Sequence, residues 1–123
     1  MAVSMGVIVL LALSLILQGC AANKPVELKK EKFLQAVKDD PADARAWVNL
    51  GISHFQLKEY RRAVRAFNKA LKIDPQNTDA LYSLGLCYHR LGKYDKAIQQ
   101  YRRLRLVDRD LGDKLFKVLN NAS

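Results

Sequence analysis

The residues of this sequence best suited to chemistry are two histidines and two cysteines, and their positions match no catalytic or metal-binding pattern. His54 and His89 are far apart, and no second cysteine or acidic cluster accompanies them at the spacing of metal ligands. The sequence also lacks a G-x-S-x-G motif, a P-loop and any other glycine-rich phosphate-binding loop. It therefore predicts no enzymatic activity, no metal and no cofactor.

One of the cysteines, Cys20, follows a segment typical of an export signal. Residues 1–18 carry no charge, and residues 7–17 are apolar apart from Ser14. This run is shorter than the roughly 20 residues that span a bilayer, and it suits a secretory signal. The junction Gln18-Gly19-Cys20 resembles a bacterial lipobox. That resemblance implies cleavage after residue 19, diacylglycerol on the Cys20 sulfur, and an acyl chain such as palmitate on its amino group.

The alternative interpretation of this segment is an uncleaved membrane helix, and both interpretations place the remainder outside the cytoplasm. Because Ala21 rather than Asp follows the cysteine, the lipoprotein resemblance implies an anchor in the outer membrane facing the periplasm, with the inner membrane as the alternative. Acylation of Cys20 would leave Cys87 as the only thiol, which excludes an internal disulfide. We expect Cys87 to fill a seam between helices; a redox or intermolecular role is the alternative.

After a short linker over residues 20–26, apolar residues recur every three or four positions, which predicts helices and no strands. Asp43, and Asn77 or Thr78, are suited to capping helix N-termini, and Pro75 is suited to ending a helix. Gly112 is expected to interrupt the pattern before a short last helix. The predicted helices cover residues 28–38, 44–57, 60–73, 78–91, 94–107 and 113–119.

One pattern of residues occurs twice, 34 positions apart. The first copy contains Trp47, Leu50, Gly51, Ala63, Phe67 and Pro75, and the second contains Leu81, Leu84, Gly85, Tyr88, Ala97 and Tyr101. The glycines and alanines in it would let helices approach closely. This pattern resembles the tetratricopeptide repeat (TPR) family, which implies an all-α solenoid of antiparallel helix pairs. The domain would cover residues 27–121, with full repeats at 44–77 and 78–111 and a capping helix at each end.

In TPR proteins the first helix of each pair lines a concave face, so the resemblance also implies a groove for a protein or peptide partner. Its apolar positions suit an extended or helical peptide. The alternative is that these residues only pack neighbouring helices or a second copy of the chain, so a homodimer stays open. The groove positions carried over to this sequence are Arg45, Val48, Asn49, Ile52, Asp79, Tyr82, Ser83, Leu86, Phe116 and Lys117.

The net charge of +9 favours an anionic partner or surface. Many of the cations fall on the second helix of each pair and predict a basic convex face. This face is either ordinary solvated surface or a contact for anionic lipid headgroups. No nucleic-acid partner is expected, because no recognised motif and no interleaved aromatic residues accompany the cations. The residues of the basic face are Arg61, Arg62, Arg65, Lys69, Arg102 and Arg103.

Together these observations predict a membrane-anchored TPR lipoprotein that acts as a protein–protein interaction adaptor. The resemblance to envelope lipoproteins implies a role in pilus, secretion or outer-membrane assembly. The alternative is a structural envelope protein that self-associates or binds an anionic membrane surface through its basic face.

Overall fold

The computed structural model of the protein describes residues 23–121, which form six helices and no strand. Helix α2 packs against α3, α4 packs against α5, and α6 packs against both α4 and α5. The predicted all-α solenoid of helix pairs is confirmed. The predicted export signal and Cys20 lie outside the described residues. The helices are α1 (residues 23–39), α2 (Ala44–Gln56), α3 (Tyr60–Ile73), α4 (Thr78–Arg90), α5 (Tyr94–Val107) and α6 (Arg109–Asn121).

Equivalent side chains cap the first helix of each repeat. The Asp43 Oδ1 atom accepts a hydrogen bond from the backbone N–H of Ala46 at 3.2 Å, and Asn77 Oδ1 accepts one from the N–H of Ala80 at 2.9 Å. These bonds satisfy N–H groups that have no partner within the helix. The N-cap predicted at Asp43 is therefore confirmed, and of the two candidates Asn77 and Thr78 it is Asn77 that caps α4.

The same two helices also end alike. Lys58 and Gly92 follow α2 and α4 at equivalent positions and have φ values of 59° and 71°. This left-handed conformation turns the chain back, so that the N–H of Glu59 reaches the carbonyl of His54 at 2.9 Å. In the next repeat the N–H of Lys93 reaches the carbonyl of Tyr88 at 2.8 Å. Each turn directs the second helix back along the first.

Glycines in the first helices let large buried side chains pack directly against the backbone. A Cβ atom built on Gly51 would lie 2.6 Å from Cε1 of Phe67, and one built on Gly85 would lie 2.8 Å from Cδ2 of Leu115. Phe67 and Leu115 are both completely buried. Ala63 is also completely buried, and its small side chain lets the helices of its pair approach closely. The repeated small residues thus serve the packing that the sequence predicts for them.

Both terminal helices are longer than the sequence predicts. Helix α6 runs through Gly112, so the predicted interruption there is wrong. A Cβ atom at residue 112 would lie 2.9 Å from Cα of Arg105, which shows that glycine is required by the close approach of α5 and α6. Asp108 begins this helix by accepting a hydrogen bond from the N–H of Leu111 at 3.0 Å. Residues 23–26, predicted as linker, belong to α1, whose first described turn accommodates Pro25.

Candidate functional site

Four of the predicted groove residues come together at one cleft between α2 and α4. This cleft, called the inner cleft, has a volume of about 310 Å³. No charged side chain lines it, so it suits an apolar side chain of a partner and offers no group for acid–base chemistry. It is lined by the predicted residues Ile52, Tyr82, Ser83 and Leu86, and by Phe55, Gln56 and Phe67.

Sequence reasoning did not place the last three residues in the groove. Phe55 lies one helical turn after Ile52 on the same face of α2, so the helical period could have identified it. Gln56 lies one turn after Ile52 as well and supplies a polar group at the edge of the cleft. Phe67 carries no such signal, because its position in the repeat indicates a core residue. Its ring forms part of both the core and the cleft wall.

The other predicted groove residues are spread beyond the inner cleft. Val48 is only 5% exposed and belongs to the main core cluster, so it offers almost no surface to a partner. Asn49 is half-buried, and Arg45 and Asp79 are exposed on the first turns of α2 and α4. Phe116 is 40% exposed on α6 and its ring lies 5.0 Å from that of Tyr101. Lys117, the next residue, is exposed.

All six residues of the predicted basic face are exposed on α3 and α5. These two helices do not pack against each other, so their cations form two separate ridges. One guanidinium atom of Arg62 lies 2.9 Å from a carboxylate oxygen of Glu59. Arg103 donates a hydrogen bond to the side-chain oxygen of Gln100 at 3.1 Å. The basic face therefore carries excess positive charge that the described carboxylates only partly neutralise.

His54 is a packing residue that faces one carboxylate. It is buried, and its Nδ1 atom lies 3.5 Å from Oε1 of Glu59. Burial lowers the pKa of His54 from 6.5, and the charge of Glu59 only partly opposes this effect. For Glu59, burial alone would raise the pKa, but Lys30, His54 and Arg62 together lower it below 4.5. Glu59 links Lys30 of α1 at 3.5 Å to Arg62 of α3 at 2.9 Å, next to the buried His54 of α2.

The structure also describes the remaining thiol and the candidate metal ligands. Cys87 is completely buried, and burial raises the pKa of its thiol to about 12, so the reactive thiolate is strongly disfavoured. Residues 23–121 bring together no group of three or more side chains suited to a metal ion. Over the same range, none of the helices combines the length and apolar character needed to cross a membrane.

Comparison with known proteins agrees with this architecture. The sequence model described as "Tetratricopeptide repeat" matches residues 30–78 and 50–110. Among solved structures, a TPR domain of Arabidopsis OM64 superimposes with a TM-score of 0.74 at 19% identity, over 86% of this chain and 89% of that one. A search of curated proteins finds no significant match.

Structures of MamA are also similar. One, from AMB-1, has a TM-score of 0.66 at 16% identity and covers 71% of this chain. Another has a TM-score of 0.63 at 27% identity and covers 75% of this chain. The chain spans only 52% and 65% of these MamA chains. The shared feature is the arrangement of helix pairs.

Proposed function

The chain belongs to the tetratricopeptide repeat family, a family of protein-interaction modules, and from this premise we propose that it is a membrane-anchored adaptor of the cell envelope. The single observation that carries the proposal is the inner cleft. Exposed or half-buried apolar side chains of Ile52, Tyr82 and Leu86 surround a cavity that is large enough for one or two apolar side chains. An uncharged, concave apolar site of this kind favours a partner segment that anchors itself by such residues.

Binding at this site would depend mainly on apolar burial. Each fully buried Leu- or Phe-sized side chain contributes about 1.5–3 kcal/mol. Gln56 and Ser83 are the only polar side chains without an aromatic ring that line the cleft, and they would orient the backbone of the bound segment. A partner inserting two apolar anchors would therefore bind with modest affinity, as suits an adaptor that assembles and releases components.

Site-specific crosslinking tests this function. A photoreactive amino acid replaces Leu86 in the inner cleft, and in a matched control it replaces Gln99, which is exposed on α5. We expect discrete adducts with envelope proteins from position 86 that disappear in a Tyr82→Glu chain whose circular dichroism is unchanged. Equal adducts from both positions, or adducts that persist in the Tyr82→Glu chain, would contradict an inner-cleft adaptor.

The membrane anchor is a separate part of the proposal and rests on the apolar run before Gly19-Cys20. In a bacterial host, the chain should incorporate an alkyne-labelled palmitate, and Cys20→Ser should abolish the labelling. Fractionation of inner and outer membranes then locates the labelled protein. An unaltered chain that is membrane-bound but takes up no label would instead support the uncleaved helix.

A further inference from the structure

A second cleft lies between α1, α2 and α3, and neither the repeat pattern nor the inner cleft accounts for it. This outer cleft has a volume of about 410 Å³. It uses a different face of α2 from the inner cleft, because residues 47, 50 and 54 form one helical stripe and residues 52, 55 and 56 form another. Its lining residues are Lys30, Glu31, Leu34, Trp47, Leu50, His54, Arg62, Arg65, Ala66 and Lys69.

The floor of the outer cleft is apolar and recessed. Leu34, Trp47, Leu50 and Ala66 form it, and all four belong to the smaller hydrophobic cluster that joins α1 to α2 and α3. Leu50 and Ala66 are each only 3% exposed, so the half-buried Leu34 and Trp47 supply most of the apolar surface that a ligand could contact. A ligand in the cleft would cover these two side chains.

One wall of the outer cleft is a row of cations on α3. Arg62, Arg65 and Lys69 are spaced by three and four residues, which places them along one side of the helix over roughly 10 Å. Arg62 is already paired with Glu59 at 2.9 Å. Among residues 23–121, no carboxylate lies within ion-pair distance of Arg65 or Lys69. Two uncompensated charges therefore stand directly beside an apolar floor.

The opposite wall carries the opposite charge. Glu31 of α1 lines the cleft, and Lys30 beside it is 14% exposed and is held by Glu27 at 2.6 Å and Glu59 at 3.5 Å. Lys30 is thus occupied by its own carboxylates, whereas Glu31 has no ion pair within the described part of the chain. A complementary ligand would present an apolar strip with acidic groups towards α3.

We propose that the outer cleft binds an acidic amphipathic helix of a partner protein, which makes the chain a module with two distinct binding sites. Carboxylates at positions i and i+4 of such a helix have Cβ atoms about 5–6 Å apart, the same separation as Arg65 and Lys69 on α3. Its leucines would cover the apolar floor, as in other complexes where a helix lies in a groove. The positive charge of the α3 wall favours a partner helix with negatively charged side chains.

Two other occupants fit less well. A flat anionic bilayer would touch the cations of α3, but its headgroups offer no apolar side chain to Leu34 and Trp47, and it would meet the exposed Glu31 with like charge. A second copy of this chain carries the same net charge of +9 and would be repelled at long range. An acidic helix avoids both difficulties.

Trp47 makes the proposal directly measurable, because it is the only tryptophan of the chain and it lies in the outer cleft. The probe is a synthetic helix of about 18 residues without aromatic side chains, long enough to be helical, with leucines on one face and glutamates at i and i+4 beside them. It is titrated into the full chain held in uncharged phosphatidylcholine nanodiscs. We expect a saturable blue shift of Trp47 emission and protection of Trp47 from acrylamide.

Matched variants separate the cleft from general charge attraction. The double variant Arg65→Glu, Lys69→Glu should weaken the binding of the acidic helix by at least roughly tenfold, because two attractive charge pairs become repulsive. The double variant Arg61→Glu, Lys72→Glu makes the same change of charge at exposed positions of α3 outside the outer cleft and should change the affinity by less than about twofold. Tyr82→Glu in the inner cleft should leave the Trp47 response unchanged. Circular dichroism checks that each variant is folded.

Three results would overturn the proposal. The first is that the acidic helix produces no saturable Trp47 response, and the second is that its glutamate-to-lysine version acts equally well. The third is that phosphatidylglycerol nanodiscs alone cause the blue shift while the helix adds nothing. The last result would assign the cleft to anionic lipid. Since the inner-cleft crosslinks do not involve Trp47, failure of either experiment leaves the other interpretable.

Discussion

Replacing Gly51 by alanine tests the packing on which the helix pairs depend. In an isolated helix this change is favourable by about 0.5–1 kcal/mol, because alanine restricts the unfolded chain. In this structure the added Cβ would lie 2.6 Å from Cε1 and 2.8 Å from both Cδ1 and Cζ of Phe67. Carbon atoms normally rest about 3.5–4 Å apart, so the ring must retreat by roughly 1 Å.

The Phe67 ring has little room for this movement. It is completely buried in the main core cluster, where Ala63 and Ala70 also pack without exposure to solvent. Overpacking of a core costs about 1–3 kcal/mol, which exceeds the gain in helix propensity. We therefore expect Gly51→Ala to lower the free energy of unfolding by about 1 kcal/mol, and the melting temperature by about 4–8 °C for a domain of this size.

Gly85→Ala is the matched control, because Gly85 occupies the equivalent position of the next repeat. There the added Cβ would lie 2.8 Å from the Cδ2 methyl of Leu115, at the end of a flexible side chain that can rotate. Thermal unfolding followed by circular dichroism should show the smaller loss for Gly85→Ala. A Gly51→Ala chain as stable as the wild type would refute the reasoning. Combining Gly51→Ala with Phe67→Leu should cost less than the sum of the two changes.

Three further changes test the turns and the buried histidine. Asp43→Ala should lower the free energy of unfolding by about 1 kcal/mol in urea titrations, because it removes the N-cap hydrogen bond of α2. Lys93→Ala is the control, since the N-cap of α5 makes no side-chain hydrogen bond, and it should cost less than about 0.5 kcal/mol. Equal losses would contradict the cap at Asp43. Lys58→Gly should stabilise the chain by about 0.5–1 kcal/mol, since Lys58 has φ 59°, and a loss of stability would argue against that conformation. Burial lowers the pKa of His54 from 6.5, so the unfolded chain binds a proton at this residue before the folded chain does as the pH falls. The free energy of unfolding should therefore decline as the pH falls below about 7, and it should decline less in His54→Gln. An identical decline in both chains would assign it to other groups.

The second helices of the repeats could be predicted from the sequence with correct bounds. Helices α3 and α5 run over Tyr60–Ile73 and Tyr94–Val107, the same residues that the pattern indicates. Their limits are set by local signals, namely turn residues before them and, for α3, Pro75 after it. Such signals act within a few residues and are visible in the sequence.

The last helix could not be predicted correctly, because its decisive contact is not local. Considered alone, a glycine at position 112 lowers the stability of the helix by about 1 kcal/mol, and for this reason the sequence pattern indicates an interruption there. In the structure, residue 112 meets the backbone of Arg105, and only glycine permits that approach. The tertiary packing between α5 and α6 outweighs the local preference.

The candidate site was accessible to sequence reasoning only in part, for a similar reason. The helical period assigns Val48 and Ile52 to the same face, but the approach of α2 to α4 buries the first and leaves the second 36% exposed. The outer cleft lies between Lys30 of α1 and Arg65 and Lys69 of α3. No pattern along the chain reveals that these two helices stand far enough apart to leave a cleft. Periodicity gives the face of a residue, whereas the distance between helices decides whether that face is open.

The two proposed sites would select different partners because their electrostatic surroundings differ. The inner cleft contains no charge, so an acidic helix placed there would bury carboxylates without partners, at a cost of several kcal/mol. An uncharged apolar segment placed in the outer cleft would in turn displace water from Arg65 and Lys69 without replacing it. Each cleft thus disfavours the ligand of the other.

The salt dependence of binding should distinguish the two sites in solution. Raising the salt concentration from about 50 to 500 mM shortens the Debye length from roughly 14 to 4 Å, so binding of the acidic helix should weaken while inner-cleft adducts persist. Equal salt sensitivity at both sites would mean that charge does not distinguish them.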